Sequence, residues 1–192
     1  MLPDFKLKPE GPLSKMLISR GDSSYLQVVD RIARLPYGRN TNPADYASLL
    51  EQGHGSCTTK HAFLKAVADE NGFTSISLNL GIYKMTTDNT PHVGPILNKY
   101  GLDFLFEAHV YLRHDDEIYD FTFPDTTDVL WEEDLFTEFD IQPNQITDYK
   151  RDTHQYFLRE WIKRDTVPHD YTTLWSIREE CIQAIEEGAM AH

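Results

Sequence analysis

The sequence predicts an α+β fold in which helices come first, an antiparallel sheet follows and helices return at the C-terminal end. Apolar residues recur at helical spacing up to about residue 71, alternate with polar residues between about 75 and 141, and then return to helical spacing. The 192 residues, 40% hydrophobic and 12% aromatic, suffice for one domain with a core and would be crowded as two. We therefore predict a single domain over 1–192, with a core over about 23–142 and a C-terminal helical extension over about 143–192.

Two helices are predicted in the first third of the chain from apolar spacing and stop signals. The first runs from Ser23 to Leu35, where a Pro-Tyr-Gly turn follows its apolar stripe. The second is shorter, because Asn42 and Pro43 have the character of an N-cap and a first-turn proline and Gly53 is a helix stop.

The third helix carries the most informative residue of the chain. It is predicted from Cys57 to Asn71, with Ser56 as its cap and Gly72 as its stop. The free amides and positive dipole end of a helix start favour a thiolate, the form of cysteine that attacks a carbonyl carbon. Cys181 lies in an apolar helical stripe instead, which predicts a small buried hydrophobic residue. Two cysteines in such different settings predict no disulfide framework and agree with a reducing compartment.

Four strands are predicted in the middle of the chain, over 75–83, 106–113, 117–123 and 136–141. The connection from Lys84 to Asp103 is long for a compact domain. It is either a functional rim or lid, or an ordinary packed insertion with a helical turn near Pro95. After the sheet, apolar stripes from Ile146 to Trp161 and from Leu174 to Ile185 predict two further helices.

The second and third strands bring a histidine and an aspartate together. A short turn at Asp115 and Asp116 places His109 opposite Thr122 and Tyr111 opposite Asp120. His109 and Asp120 are then diagonal neighbours on one face, close enough for their side chains to meet. The other face carries the apolar residues of both strands and is predicted to face the core, which leaves His109 on a half-exposed face.

Charge and composition exclude several classes of protein. The chain has 18 basic against 31 acidic residues and a formal charge of -13, which argues against a surface that binds nucleic acid. The scattered acids are typical of a solubilising surface. No segment has the pattern of a signal peptide or the length needed to span a membrane, so we expect no membrane association and a cytoplasmic protein.

The ordered motifs resemble the transglutaminase-like branch of the papain-type thiol enzymes, which includes transglutaminases, peptide N-glycanases and many bacterial proteins. The resemblance covers about Tyr37 to Pro124 and rests on three segments: Gly55-Ser56-Cys57 at a helix start with Ala62-Phe63-Leu64 and Gly72, Ala108-His109-Val110-Tyr111, and Tyr119-Asp120-Phe121-Thr122. It implies a papain-like fold with the nucleophile at the start of a helix packed on an antiparallel sheet. It also implies that Cys57 is the nucleophile, His109 the base and acid, and Asp120 the group that orients His109.

Two features depart from the family pattern. Many relatives have tryptophan two residues after the histidine, where this chain has Tyr111, and no side-chain oxyanion donor is evident. Gln52, Asn40, Tyr37 and Tyr111 are the candidate side chains for contact with a substrate or an oxyanion. The backbone amide of Cys57 is the donor we expect, because a helix-start amide faces developing negative charge.

The implied chemistry is acyl transfer through a thioester, with a peptide, a protein or a small amide or ester as substrate and no cofactor. Hydrolysis is favoured over transfer to an amine, because a small domain leaves its cleft wet. One alternative is a catalytically silent module of the same fold that binds a peptide in the cleft around Lys84 to Asp103. Another, weaker alternative is a metal site formed by His54, Cys57, His61 and His109.

The remaining conspicuous residues have ordinary interpretations. Trp131, Trp161 and Trp175 are predicted to anchor the core or its rim. The histidines without a partner pattern are predicted to lie at the surface: His92, His114, His154 and His169. The oligomeric state is not predicted by any pattern in the sequence.

Overall fold

The computed structural model describes residues 1–124 and 130–190, with side chains described up to Gly188 in the last helix. Within these ranges the protein is an α+β structure of seven α-helices and one four-stranded antiparallel sheet. The helices are α1 Pro12–Ser19, α2 Tyr25–Ala33, α3 Leu49–Gln52, α4 Cys57–Glu70, α5 Gly94–Tyr100, α6 Asp148–Arg164 and α7 Tyr171–Met190. The strands are β1 Ser77–Met85, β2 Leu105–His114, β3 Glu117–Tyr119 and β4 Leu135–Ile141. Short 3-10 turns occupy Tyr46–Ser48, Glu132–Asp134 and Pro143–Gln145.

The sheet has the order β3-β2-β1-β4, so its two central strands are β2 and β1. The predicted register of the hairpin formed by β2 and β3 is confirmed, because His114 pairs with Glu117 and Leu112 pairs with Tyr119. The strand predicted over 117–123 is shorter than expected. It ends as β3 at Tyr119, and Asp120 lies just beyond it. Asp120 is therefore positioned by side chains rather than by the ladder of the sheet.

The prediction of a half-exposed face on β2 is also wrong. The apolar face is buried as expected, but Glu107, His109 and Tyr111 on the other face are 4%, 8% and 0% exposed. The ring of Trp131 covers His109 and Tyr111, and Arg178 of α7 covers Glu107. The C-terminal helix thus closes a face that the strand pattern alone leaves open.

The predicted early helices are present with two differences. The helix expected from Asn42 begins only with the 3-10 turn at Tyr46–Ser48 and continues as α3, because the Asn42 side chain caps the Ala44 amide in a turn that precedes the helix. Gly53 ends α3 with φ 72, as its left-handed geometry requires. Helix α1 was not predicted. Its first turn is fixed by a residue far away in the sequence, since the Leu13 and Ser14 amides donate to the Glu70 carboxylate.

Helix α4 is the centre of the core. Its first nine residues, Cys57 to Lys65, are all buried, and the capping interaction runs from the Ser56 amide to Thr59 Oγ1 at 3.1 Å. Four polar residues, 58 to 61, follow Cys57 inside this buried turn, so each must find a polar partner. Those partners hold the candidate site together.

The segment between β1 and β2 has two structurally different halves. The second half is α5, which begins near Pro95 as the packed-insertion reading expects. The first half, from Thr87 to His92, lines a cavity beside Cys57. Among residues 1–124 and 130–190, no helix combines the length and the apolar character needed to cross a bilayer.

Candidate active site

Cys57 is the first residue of α4, and its side chain lies at the bottom of a cavity with 8% exposure. The segment before it is fixed against the chain at Tyr37, because the Gly55 amide donates to the Pro36 carbonyl at 3.1 Å and the Gly38 amide donates to the Gly55 carbonyl at 3.3 Å. As the first helical residue, Cys57 has an amide without a partner inside the helix. The thiol and a free amide are therefore presented side by side to the cavity.

The structure brings Cys57, His109 and Asp120 together. His109 Nε2 lies 2.8 Å from Asp120 Oδ2, and the His109 ring is near enough to the Cys57 thiol for each group to shift the pKa of the other. Because Nε2 is occupied by Asp120, Nδ1 is the nitrogen left to face the sulfur. The imidazole thus bridges the thiol and the carboxylate, which is the arrangement a nucleophile, a base and an orienting acid require.

Asp120 is held by more partners than the sequence indicated. Trp131 Nε1 donates to Oδ2 at 2.9 Å, and the Thr122 amide and hydroxyl donate to Oδ1 at 2.9 and 2.5 Å. The Trp131 ring also packs against His109, with ring centroids 4.8 Å apart. The prediction of Trp131 as an anchor is confirmed, since it is 6% exposed, but its bond to the aspartate was missed.

Two buried side chains of α4 explain why β3 ends before Asp120. Lys60 Nζ donates to the carbonyls of Leu35, Phe121 and Thr122 at 2.5, 2.9 and 3.0 Å. His61 donates from Nδ1 to the Cys57 carbonyl at 2.7 Å and accepts the Phe121 amide at Nε2, 2.8 Å away. The backbone after Asp120 is therefore bonded to α4 instead of to β2.

The electrostatics favour a charged pair of Cys57 and His109. Burial alone raises the pKa of the Cys57 thiol, but the positive charges of Lys150 and His109 and hydrogen bonds from His109 and the Val110 amide outweigh it and lower that pKa to about 6. Burial lowers the pKa of His109, yet Asp120 and the Cys57 thiolate outweigh this and raise it to about 10. Asp120 is buried, which raises its pKa, but His109 and Thr122 hold it well below its usual range. Both shifts favour the thiolate of Cys57 and the imidazolium of His109.

Lys150 is a site residue that the sequence analysis missed. It lies in the first turn of α6, and its Nζ is 2.7 Å from Thr58 Oγ1 and 3.9 Å from Cys57 Sγ. A cation at this distance from a largely buried sulfur stabilises the thiolate. No local pattern could have found it, because 93 residues separate it from Cys57.

The cavity above Cys57 has a volume of about 1020 Å³. Its apolar walls come from β1, Trp131 and α7, and its polar walls include Arg39, Lys150 and the Glu107–Arg178 ion pair, whose closest atoms are 2.7 Å apart. A cavity of this size takes a peptide side chain or a small molecule. Thr87 to His92, in the segment interpreted either as a rim or lid or as a packed insertion, also line this cavity.

One of the predicted surface histidines forms part of this cavity. His154 is only 2% exposed and lies 2.7 Å from the Phe106 carbonyl through Nε2, so the surface prediction is wrong for it. Burial lowers the pKa of His154 to about 4, although the Glu107 carboxylate partly opposes this. His92 is exposed, as predicted, while His114 and His169 are partly buried and lie near backbone carbonyls.

The candidate oxyanion side chains separate into two groups. Gln52 accepts hydrogen bonds from Asn40 Nδ2 and the Thr41 amide, and Tyr111 donates to Glu138 across Gly81, so neither lines the cavity. A side chain at position 81 would meet the Tyr111 ring at 2.9 Å, which is why β1 has glycine there. Asn40 lines the cavity, but its amide and carbonyl are bonded to His54 and Thr59. Tyr37 lines the cavity and is 7% exposed.

The geometry gives no support to the metal alternative. Both ring nitrogens of His61 have backbone partners, and His54 Nε2 lies 3.3 Å from the Arg39 carbonyl. Within residues 1–124 and 130–190, no three His, Cys, Asp or Glu side chains are placed to hold a metal ion.

Comparisons with known proteins were made by family, by sequence and by structure. No family model, no curated protein and no solved structure matches this chain.

One signal in the sequence pointed to the buried support of the site. Four consecutive polar residues, 58 to 61, open an otherwise apolar helix directly after Cys57, and two of them, Lys60 and His61, hold the Asp120 segment. Buried lysine and histidine are costly unless paired. Such a run at the start of a central helix indicates a polar network.

Proposed function

We propose that this protein is a thiol acyl-transfer enzyme that cleaves an amide or ester through a thioester on Cys57. The observation that carries the proposal is that Cys57, His109 and Asp120 line one cavity, with His109 hydrogen-bonded to Asp120 at 2.8 Å and electrostatically coupled to the Cys57 thiol. A buried aspartate 2.8 Å from Nε2 holds the imidazole with its other nitrogen toward the sulfur. A structural histidine would not need both contacts.

The chemistry runs in two halves. The Cys57 thiolate attacks the carbonyl carbon, and the imidazolium of His109 gives its proton to the leaving amine or alcohol. The neutral His109 then removes a proton from the acceptor that attacks the thioester, which releases the acyl group and restores the ion pair. Asp120 stays ionised throughout and stabilises the charged imidazole.

Water is the acceptor we favour, so the proposed enzyme is a hydrolase, with a cysteine peptidase or amidase activity. The cavity of about 1020 Å³ has room for water beside a small substrate. Transfer to an amine, the transglutaminase reaction, needs a site that excludes water from the thioester.

We also propose that the fold is transglutaminase-like. Three features support it: the cysteine begins a buried helix, the histidine and aspartate follow on neighbouring antiparallel segments, and the order along the chain is Cys, His, Asp. A departure is that Trp131 bonds the aspartate from a later segment, while Tyr111 occupies the position where many relatives have tryptophan.

The proposal is tested by acylation with p-nitrophenyl acetate. We expect one acetyl group per chain on the Cys57 peptide by mass spectrometry, with a burst of p-nitrophenolate of the same stoichiometry. Cys57→Ser should lose the burst, and the matched variant Cys181→Ser should keep it. Equal labelling of both cysteines, or none on Cys57, would favour the silent peptide-binding module instead.

A further inference from the structure

An oxyanion hole commonly uses a side-chain donor beside a backbone amide. Among the described residues, the side-chain amides that line the cavity belong to Asn40 and Asn89, and both are already hydrogen-bonded to other groups of the chain. Gln52 and Tyr111 point elsewhere, and both polar groups of Asn40 are occupied. The Cys57 amide can donate one hydrogen bond to a developing oxyanion. A second donor has to come from another part of the chain.

Lys150 differs from the other cations that line the cavity. Arg178 is paired with Glu107 at 2.7 Å, Arg39 with Glu179 at 2.8 Å and Arg151 with Asp148 at 3.0 Å. Lys150 makes no ion pair with any carboxylate within residues 1–124 and 130–190; its contacts are Thr58 Oγ1 and the Cys57 sulfur. Its charge is therefore available to whatever occupies the space above Cys57.

Lys150 Nζ lies close to the start of α4, where its positive charge can act on a substrate bound to Cys57. Nζ is bonded to the second residue of the helix at 2.7 Å and lies 3.9 Å from the attacking sulfur. A carbonyl carbon under attack bonds directly to that sulfur, and its oxygen turns toward the free amides at the helix start. Nζ therefore lies at the same end of α4 as those amides.

We propose that Lys150 is a catalytic residue that acts as the side-chain donor of the oxyanion hole. When the S–C bond forms, the π electrons of the carbonyl move onto its oxygen, and the negative charge leaves the sulfur. Lys150 then stabilises the oxygen instead of the thiolate, together with the Cys57 amide. This inference rests on the proposed acyl transfer and adds a group from the C-terminal extension to it.

Two electrophiles separate this role from a simple effect on thiol ionisation. Iodoacetamide alkylates a thiolate without forming an oxyanion, whereas p-nitrophenyl acetate passes through a tetrahedral oxyanion. Both rates are measured against pH up to the plateau at which Cys57 is fully ionised. At that plateau, a change in thiol pKa no longer affects either rate.

For Lys150→Met we expect the alkylation plateau to stay within about twofold and the acylation plateau to fall by about 10²-fold, the cost of one oxyanion donor. Lys150→Arg should recover at least part of the acylation rate, since it retains the charge. Lys163→Met, which removes an exposed cation from the same helix, is the matched control and should change neither plateau.

Equal acylation plateaus in wild type and Lys150→Met would overturn the proposal. An arginine variant no better than the methionine variant would overturn it as well, because it would assign the loss to packing. So would a comparable loss in Tyr37→Phe with Lys150→Met unaffected, because Tyr37 would then be the donor. Failure of the proposed function looks different: wild-type protein would alkylate at Cys57 but form no acetyl thioester with the ester.

Discussion

Two regions of this molecule contain the same kinds of residue and differ in what they can do. The first has Cys57, His109, Asp120 and Lys150 at the start of α4. The second has Cys181, His154, Glu107 and Arg178 between β2, α6 and α7. Each is buried and each contains a thiol, an imidazole, a carboxylate and a cation.

The pairing within each region decides the outcome. In the first, His109 bonds to its carboxylate at 2.8 Å through one ring nitrogen and has the other left for the thiol, so the pKa of the imidazole is raised and that of the thiol is lowered. In the second, Arg178 neutralises Glu107, and His154 lies 4.0 Å from that carboxylate and bonds to a backbone carbonyl. Burial then dominates and raises the pKa of Cys181 to about 12.

Residue types alone therefore do not identify a site. A cation already bound to a carboxylate does little for a nearby thiol, whereas a cation left unpaired by carboxylates can stabilise it. Cys181 is fully buried and does not line the cavity, so it also lacks access to a substrate. Its predicted role as a small buried hydrophobic residue is confirmed.

The largest effect should come from exchanging the two thiols for alanine. Cys57→Ala is expected to lower acyl-transfer activity by on the order of 10⁴-fold, because it removes the atom that forms the thioester. Cys181→Ala should keep the activity and cost about 1 kcal/mol of unfolding free energy, since it leaves a small cavity in the core. Steady-state rates and denaturant unfolding of both variants check this prediction. Similar losses of activity in the two variants would contradict the assignment of the chemistry to Cys57 alone.

Breaking the Glu107–Arg178 ion pair of the second region should mainly lower the free energy of unfolding. Arg178→Met leaves the Glu107 carboxylate buried without its partner, which is expected to cost about 3 kcal/mol of unfolding free energy. Denaturant unfolding measures the loss, and the double variant with Glu107→Gln should recover much of it. The apparent pKa of Cys57 should change less than it does in Lys150→Met, which removes the cation 3.9 Å from the sulfur, and an equal change would contradict the separate roles of the two regions.

The buried neutral histidines give the protein a dependence on pH. The pKa of His154 is lowered to about 4 by burial, from 6.5 in the unfolded chain. The unfolded state therefore binds more protons, so the contribution of His154 is present above pH 6.5 and is lost as pH falls toward 4. Its full loss amounts to about 3 kcal/mol. His61, lowered to about 4 as well, has the same sign.

Unfolding experiments at several pH values between 4.5 and 7 measure this dependence. His154→Gln should flatten the slope by about one proton, because glutamine does not titrate and its amide can donate to the Phe106 carbonyl. An unchanged slope would mean that His154 is not buried in its neutral form.

The smallest of these effects concerns Trp131, which bonds Asp120 and packs on His109. Trp131→Phe keeps a ring against the imidazole but removes the donor to the carboxylate, so we expect kcat to fall by about tenfold with little change in KM. The acylation burst and steady-state kinetics measure this, with Trp161→Phe as the control remote from the site. A change confined to KM would assign Trp131 to substrate binding.

The helices, strands and turns whose signals lie in residues adjacent in the sequence were predictable. Helices α2 and α4, the four strands and the turn of the second hairpin follow from local periodicity and turn residues, and the register that brings His109 near Asp120 follows from the turn. Helix α1 was not predictable, because its start is held by Glu70 from 56 residues away.

The site was predictable only where its residues belong to local patterns. Cys57 stands out at a helix start, and His109 and Asp120 at a hairpin. Trp131 and Lys150 reach the site only through the tertiary fold, and His154 is buried by α7, so their surroundings leave no trace in the adjacent sequence. Asp120 itself lies outside the sheet because Lys60 and His61 bind the backbone of Phe121, the residue that follows it.

The central claim is that His109 and its neighbours ionise Cys57, and the pH dependence of alkylation tests it most directly. Each cysteine is followed separately by peptide mass spectrometry after iodoacetamide treatment, in wild type and in His109→Ala. We predict that Cys57 in wild type reacts with an apparent pKa of about 6, that this pKa rises toward or above the free-thiol value in His109→Ala, and that Cys181 stays unreactive in both folded proteins. A Cys57 that titrates like a free thiol near about 8.5, and that does not respond to the loss of His109, would contradict the account.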